Sequence, residues 1–239
     1  MISLSKEWAI LSKEMYGQEF TDELGEFLKE HKVKDILECG CGDGYILQGL
    51  AKKGFSGIGI DATPEMIALA LEDHNHPNIS YRQMDWLNLR NLKIQFDTVI
   101  CRGNSLSCVS NWGKQEINPE QAKRKIEESV GLFYQKLKKG GLLYVDTISQ
   151  NELDKNGGDI EVKTVNIHLV GRIEYDWQKK ERRVFGSGKV LGEDFSGSST
   201  SYLLTPQELE GIVRNFQNRE VWTPQLKNER NYTVICAIK

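Results

Sequence analysis

Four places in the first half of the chain carry residues that could do chemistry together: the run Glu38-Cys39-Gly40-Cys41-Gly42-Asp43-Gly44, then Asp61, then Asp85-Trp86, then Arg102-Gly103-Asn104-Ser105. The first follows the apolar residues Ile36-Leu37 and leads into Tyr45–Ala51, so it reads as strand, glycine turn and helix start. That order makes a nucleotide crevice: glycines let a ligand approach the backbone, and a helix start offers free N–H groups. The spacing Gly40-x-Gly42-x-Gly44 is one residue shorter than the dinucleotide fingerprint, and Glu38 stands two residues ahead of it. A carboxylate there repels a pyrophosphate and suits a cationic or neutral polar tail, so the pocket reads as one for a nucleoside without phosphates. Asp61 ends the apolar run Gly57–Ile60, 21 positions after Gly40 (61 − 40). At that distance an acid meets ribose hydroxyls, and one carboxylate can accept both bonds of a vicinal diol. Asp85 ends a third run, Asn78–Met84. Glu38, Asp61 and Asp85 thus present carboxylates at three successive strand ends, more than turn chemistry alone accounts for.

The E-x-G-x-G-x-G string resembles the first motif of the class I S-adenosylmethionine-dependent methyltransferases. Asp61-Ala62-Thr63-Pro64-Glu65-Met66 is similar to the family pattern at the second strand, and Cys101-Arg102-Gly103-Asn104-Ser105-Leu106 resembles the fourth motif of the glycine and sarcosine N-methyltransferases. Lys138-Lys139-Gly140-Gly141-Leu142-Leu143 is also a family habit, and the specific motifs cover about residues 33–148. The resemblance implies S-adenosylmethionine as cofactor and S-adenosylhomocysteine as product, held by Glu38, Gly40, Cys41, Gly42, Gly44, Asp61, Ala62, Met66, Asp85, Trp86, Arg102 and Gly103. In the family the acid at Asp85 accepts from the adenine amino group, and the N–H of the next residue, here Trp86, meets a ring nitrogen. Met66 reads either as packing on the adenine or as a core methionine. Arg102 reads as a contact to the cofactor's methionine part, to a substrate carboxylate, or to a neighbouring acid in the turn. Asn104, Ser105, Trp112 and Tyr16 are the substrate-binding candidates, Trp112 and Tyr16 having ordinary packing as their alternative.

A sulfonium activates its own methyl, so the protein must hold a nucleophile in line and exclude water. A neutral amine needs no base, whereas a hydroxyl does. His31, His74 and His76 fall outside the crevice and His168 falls in a later segment, so no catalytic residue is assigned and a small amine is the expected acceptor. The glycine N-methyltransferases grip the substrate carboxylate with an arginine just after the fifth strand. Here that stretch, Asp146–Asn151, has none, which puts glycine in doubt. The rival readings are a methyltransferase acting on RNA or protein, a nicotinamide-dependent oxidoreductase, and a binder of the cofactor without activity. The missing Asn/Asp-Pro-Pro-Tyr after the fourth strand argues against many nucleic-acid enzymes, and the glycine spacing argues against the oxidoreductase.

These residues need a scaffold. The periodicities predict an α/β fold with a small inserted antiparallel β-sheet, and the resemblance implies a Rossmann-like seven-stranded methyltransferase sheet with helices on both faces and the last strand antiparallel. Residues 3–31 read as one or two helices broken at Gly17, the second starting near Thr21; the resemblance implies that residues 1–31 form a helical lid over the cofactor, with mere packing as the alternative. Thr63 and Pro64 read as cap and first residue of a helix. Phe96–Cys101 reads as the fourth strand, Pro119–Lys138 as an amphipathic helix ended by Gly140-Gly141 with lysines complementing its dipole, and Leu142–Thr147 as the fifth strand. Residues 160–203 alternate, turn at Tyr175–Gln178 and return, as an inserted β subdomain for substrate or for pairing two copies into a homodimer. Lys179, Lys180, Arg182 and Arg183 form a basic cluster there, read as a solvated hairpin end or as recognition of an acidic substrate. A helix from Pro206 and a hairpin of residues 219–223 with 232–238 close a single domain spanning 1–239.

At 239 residues, net charge −3 and a pI of about 5.9, the composition fits one large α/β domain and disfavours a nucleic-acid partner. The five cysteines are scattered, which suits reduced thiols in a cytoplasmic protein, and Cys39-x-Cys41 is too closely spaced for the usual zinc pair, so no metal is expected. No apolar run approaches a membrane span, and a small-molecule acceptor is the expected partner.

Overall fold

In the computed structural model, which describes residues 3–109, 117–216, 220–229 and 231–239, the chain runs α1 (Leu4–Glu30), β1 (Asp35–Cys39), α2 (Tyr45–Ala51), β2 (Ser56–Asp61), α3 (Pro64–Asp73), β3 (Ile79–Gln83), β4 (Phe96–Cys101), α4 (Pro119–Lys136) and β5 (Leu137–Ile148). It continues through α5 (Gln150–Asp154), β6 (Gly158–Lys163), β7 (Ile167–Asp176), β8 (Glu181–Val190), β9 (Glu193–Tyr202), α6 (Pro206–Arg214), β10 (Glu220–Trp222) and β11 (Tyr232–Ile238). A seven-stranded sheet has the order β10-β11-β5-β4-β1-β2-β3. β1 to β5 are parallel, and β11 enters antiparallel to β5, as the sequence predicts.

Because successive strand residues point to opposite faces, each central strand feeds two cores. Leu37, Ile60, Val99 and Val145 pack with α4 and α6 through Ile126, Phe133, Leu209 and Val213. Ile36, Ile100 and Tyr144 face the other way, against Phe20, Leu24 and Leu28 of α1 and Leu47 of α2. The sheet's carboxyl edge therefore lies between two filled layers, and the loops after β1, β2, β3 and β4 converge on it.

The span α1 is two helices that meet at a kink, where Gly17 leaves the helical conformation (φ 16°, ψ −175°), at the break expected from the sequence. Thr21 lies inside the helix, its hydroxyl donating to the Gly17 carbonyl, so the second half begins earlier than expected. A larger difference concerns Gly140-Gly141. α4 already ends at Lys136, and the glycines belong to a bulge in β5, where Leu137 pairs with Phe96 but Leu142 with Thr98. Gly140 takes the left-handed backbone (φ +78°) that such a bulge needs. Lys138 is consequently no helix-end cation: its amine bridges Asp35 and Asp97 at 2.8 and 2.9 Å, joining the starts of β1 and β4. Thr63 occupies the cap position of α3 without a side-chain cap bond; Asp61 Oδ1 accepts the Thr63 N–H instead.

Residues 158–202 form a separate four-stranded antiparallel sheet, β6-β7-β8-β9. It packs through Ile167, Leu169, Val190 and Phe195 onto Leu11 and Trp8 in the first half of α1. The cysteines are free and, apart from half-buried Cys108, buried. Among the described residues no group of side chains is arranged to hold a metal, and no helix is long and apolar enough to cross a membrane.

Candidate active site

The turn after β1 is held by its own backbone: the N–H groups of Gly40 and Cys41 both donate to the Ile60 carbonyl of β2. Gly42 donates to Asp61 Oδ2 at 3.0 Å while Thr63 donates to Oδ1 at 2.8 Å. Each Asp61 oxygen thus spends one acceptor site on the turn and keeps another. Gly42 is left-handed (φ +56°), and a Cβ there would meet nothing within 4 Å. Gly44 differs. Its Cβ would lie 2.5 Å from Tyr81, whose hydroxyl donates to the Gly44 carbonyl at 3.1 Å.

Over this turn lies a cleft of about 470 Å³, within the range of small-ligand sites. Every residue singled out above for cofactor or substrate lines it, except Gly44, which is a packing contact, and Trp112, which lies outside the described residues. Tyr16 lines the cleft and is also buried, so its two readings coincide; the same holds for Met66. Asp85 accepts the Leu87 N–H at 2.8 Å, and Trp86 packs edge-on against Phe133. His31, His74, His76 and His168 do not line the cleft.

Buried charge is concentrated here. Glu38 is 2 % exposed, and its Oε2 has no partner among the described residues. Burial, opposed by nearby Arg102, pushes its carboxyl up to about 8. Arg102 is also buried, with Nε and Nη2 unpartnered, its guanidinium 4.0 Å from the Tyr16 ring centre and 4.3 Å from that of Phe20. Burial alone would lower the Arg102 pKa, but Tyr16, Glu229, Tyr144 and Asp146 push it up, so it stays charged. Among the described residues it forms no ion pair with a neighbouring acid. An orphaned carboxyl and an orphaned guanidinium beside a glycine cradle fit a ligand with an ammonium and a carboxylate at one end, which is the methionine part of S-adenosylmethionine.

The loop after β4 is pinned from β5. Asp146 accepts the N–H groups of Gly103 (2.7 Å) and Asn104 (2.8 Å); burial raises it to about 6, opposed by Arg102 and by those amides. Asn104 adopts φ 59°, and its Oδ1 accepts from Ser107 Oγ at 2.7 Å and lies 3.2 Å from Thr147 Oγ1. Ser105 Oγ donates to the Arg102 carbonyl. Both side chains line the cleft, yet much of their bonding capacity is spent on the loop itself. Sequence reasoning missed Asp146, although it is a fourth strand-end acid. It also missed Tyr232, Ser199 and Ser201, and grouped Arg182 with three other cations; all of these except Asp146 line the cleft. Alternation along β8 and β9 was the available signal.

This sheet order, with its last strand antiparallel and its glycine turn between acidic strand ends, is the fold of solved S-adenosylmethionine-dependent methyltransferases. Residues 36–124 match the model of a methyltransferase domain. Among curated proteins the chain is similar to a glycine/sarcosine N-methyltransferase of Parasynechococcus marenigrum, 28 % identical over 62 % of this chain and 49 % of that protein. It is also similar to the human EEF1A lysine methyltransferase 2, 29 % identical over 59 % of each. The chain spans about half the length of the curated glycine/sarcosine relatives it matches. The fold is shared with S-adenosylmethionine-bound CalS10, an amino pentose methyltransferase from Micromonospora echinaspora, at a TM-score of 0.74, with 17 % identity over 100 % of this chain and 98 % of that one.

Proposed function

We propose that this protein transfers the methyl group of S-adenosylmethionine to the nitrogen of a small amine. The observation that carries the reading is the lining of the cleft, which joins the glycine turn and the acids to Trp8, Ser12 and Tyr16 of α1 and to Arg182, Ser199 and Ser201 of the inserted sheet. What S-adenosylmethionine supplies when bound is an electrophilic methyl on a sulfonium.

The chain's own residues do the rest. Glu38 takes the ammonium of the methionine part and Arg102 its carboxylate. Asp61 uses its spare acceptor sites on the ribose hydroxyls. Asp85 and the Trp86 backbone read the adenine edge beside Met66. Residues 1–31 act as the lid and residues 160–203 as the acceptor-side subdomain. An amine acceptor needs to be neutral, not deprotonated by a base, which suits a cleft without histidine. The similarity to the glycine/sarcosine enzymes supports nitrogen as the acceptor atom; that to the lysine methyltransferase makes a protein lysine the second reading.

Calorimetry with S-adenosylmethionine and with NADH tests the cofactor: binding of NADH alone would remove the proposal. A methyl-release assay over amino acids, amines and amino sugars tests the acceptor. Label that appears only in precipitable protein would favour the lysine reading.

A further inference from the structure

Among the four cations at the end of the β7–β8 hairpin, three are spoken for. Lys179 faces Asp176 at 3.8 Å, Lys180 pairs with Glu208 at 3.0 Å, and Arg183 pairs with Glu181 at 2.5 Å. Arg182 has no carboxylate or hydrogen-bond partner among the described residues, and its Nε is buried and orphaned. Its cross-strand partner is Ser201, 3 % exposed, whose Oγ is orphaned as well. Directly opposed residues on one sheet face stand side by side, so a guanidinium and a hydroxyl donor sit together at the wall of the cleft. Ser199, two residues along β9, lies on the same face and also lines the cleft.

Arg182 further marks a junction. A second cavity of about 220 Å³, between α1 and the inserted sheet, shares Trp8, Ile148, Arg182, Ser199 and Tyr232 with the first. Beyond Arg182 its walls are mostly apolar, including Leu11, Ile160, Leu169, Ile173, Val184 and Phe195. Glu7 and Glu152 also reach this cavity without forming an ion pair to Arg182. Orphaned buried donors are costly unless a ligand satisfies them, and a carboxylate matches two adjacent donors.

We propose that the acceptor is an anionic amine with an apolar body, its carboxylate docking on Arg182 and Ser201 and its apolar part filling the second cavity. This rests on the methyltransferase reading and adds the acceptor's class to it. A glycine-sized acceptor would leave the second cavity empty. Among amines, the site thus selects an amino acid with a large apolar side chain over glycine, an amide or an amino sugar.

The test is binding of L-leucine and L-phenylalanine to the protein loaded with S-adenosylhomocysteine, against leucinamide, phenylalaninamide, glycine and a neutral amino sugar. The expected result is at least tenfold tighter binding of the two amino acids than of any other probe. Arg182→Gln should abolish that margin and Ser201→Ala reduce it, while both variants keep the wild-type affinity for S-adenosylmethionine and the wild-type melting temperature. Amides binding as well as the acids, an unchanged margin in Arg182→Gln, tighter binding of the amino sugar, or no binding of any probe would overturn the proposal. A carboxylate preference that glycine shares equally would overturn the assignment of the second cavity. Failure of the wild type to bind S-adenosylmethionine would sink the underlying reading, and this inference with it.

Discussion

Asp146 of β5 holds Asn104 from the neighbouring strand's loop, accepting its N–H at 2.8 Å while the other carboxylate oxygen takes the N–H of Gly103. Two carboxylate oxygens thus fix the left-handed turn that lines the cleft. Asp146→Asn leaves one oxygen for two donors. Stranding a buried N–H costs about 1–3 kcal/mol, so the variant should melt several degrees lower, at roughly 2–4 °C per kcal/mol for a chain of this size. Methyl transfer should fall more than cofactor affinity. Melting curves with initial rates check this, and an unchanged rate would show that the loop keeps its shape without Asp146.

Gly42 and Gly44 look equivalent as letters, but their surroundings separate them. An alanine at either strains the left-handed backbone by about 1–2 kcal/mol. At Gly44 the methyl would also run into Tyr81, whereas at Gly42 it would enter open space beside the cleft. Gly44→Ala should therefore lower the melting temperature more, and Gly42→Ala should weaken S-adenosylmethionine binding more. The reverse ranking, by melting and calorimetry, would return Gly44 to the cofactor site.

Glu38 carries the clearest pH signature. Its ordinary value of 4.5 is pushed up to about 8 in the fold, chiefly by burial. Between those values the folded chain holds a proton that the unfolded chain has lost, so this group's contribution to stability falls as pH rises through that window. Glu38→Gln should gain stability relative to the wild type over the same range. Binding a cationic amine favours the ionised carboxylate, so S-adenosylmethionine should expel a proton and bind more tightly as pH rises from about 6 towards 8, by up to about tenfold per unit. Calorimetry in two buffers of different ionisation heat reads that proton, and its persistence in Glu38→Gln would assign it elsewhere.

Asp61 serves the turn and the proposed ribose site at once. Asp61→Ala should weaken cofactor binding by roughly 1.5–3 kcal/mol for each charged hydrogen bond lost. Asp61→Asn, which keeps an oxygen for the turn, should lose less. Equal affinity across wild type and both variants would remove Asp61 from the ribose.

Much of this was legible in the sequence because it is written in local chemistry. Strand-end acids, the shortened glycine turn and the alternating apolar runs each report on their own neighbourhood, and they located the sheet, its antiparallel last strand and many of the residues that line the cleft. What escaped depends on partners far along the chain. Lys138 looked like a helix-end cation because nothing local reveals that Asp35 and Asp97 stand beside it. Gly140-Gly141 looked like a helix stop because a bulge is defined only by the strand opposite. Arg182 was indistinguishable from Lys179, Lys180 and Arg183 until their three carboxylate partners were in place and its own was seen to be missing.

The kink in α1 and the inserted sheet have one more consequence. On the proposed function, residues 38–104 supply the donor side of the cleft, while the acceptor side comes from residues 8–16, from 182–201 and from Tyr232. The methyltransferase-domain match, 36–124, falls on the donor side and ends before the inserted sheet begins. The two sides are thus written in separable stretches of gene. One can be inherited unchanged while the other is rewritten, and a graft of residues 158–202 from another enzyme of this fold is a direct route to a new acceptor on an old donor.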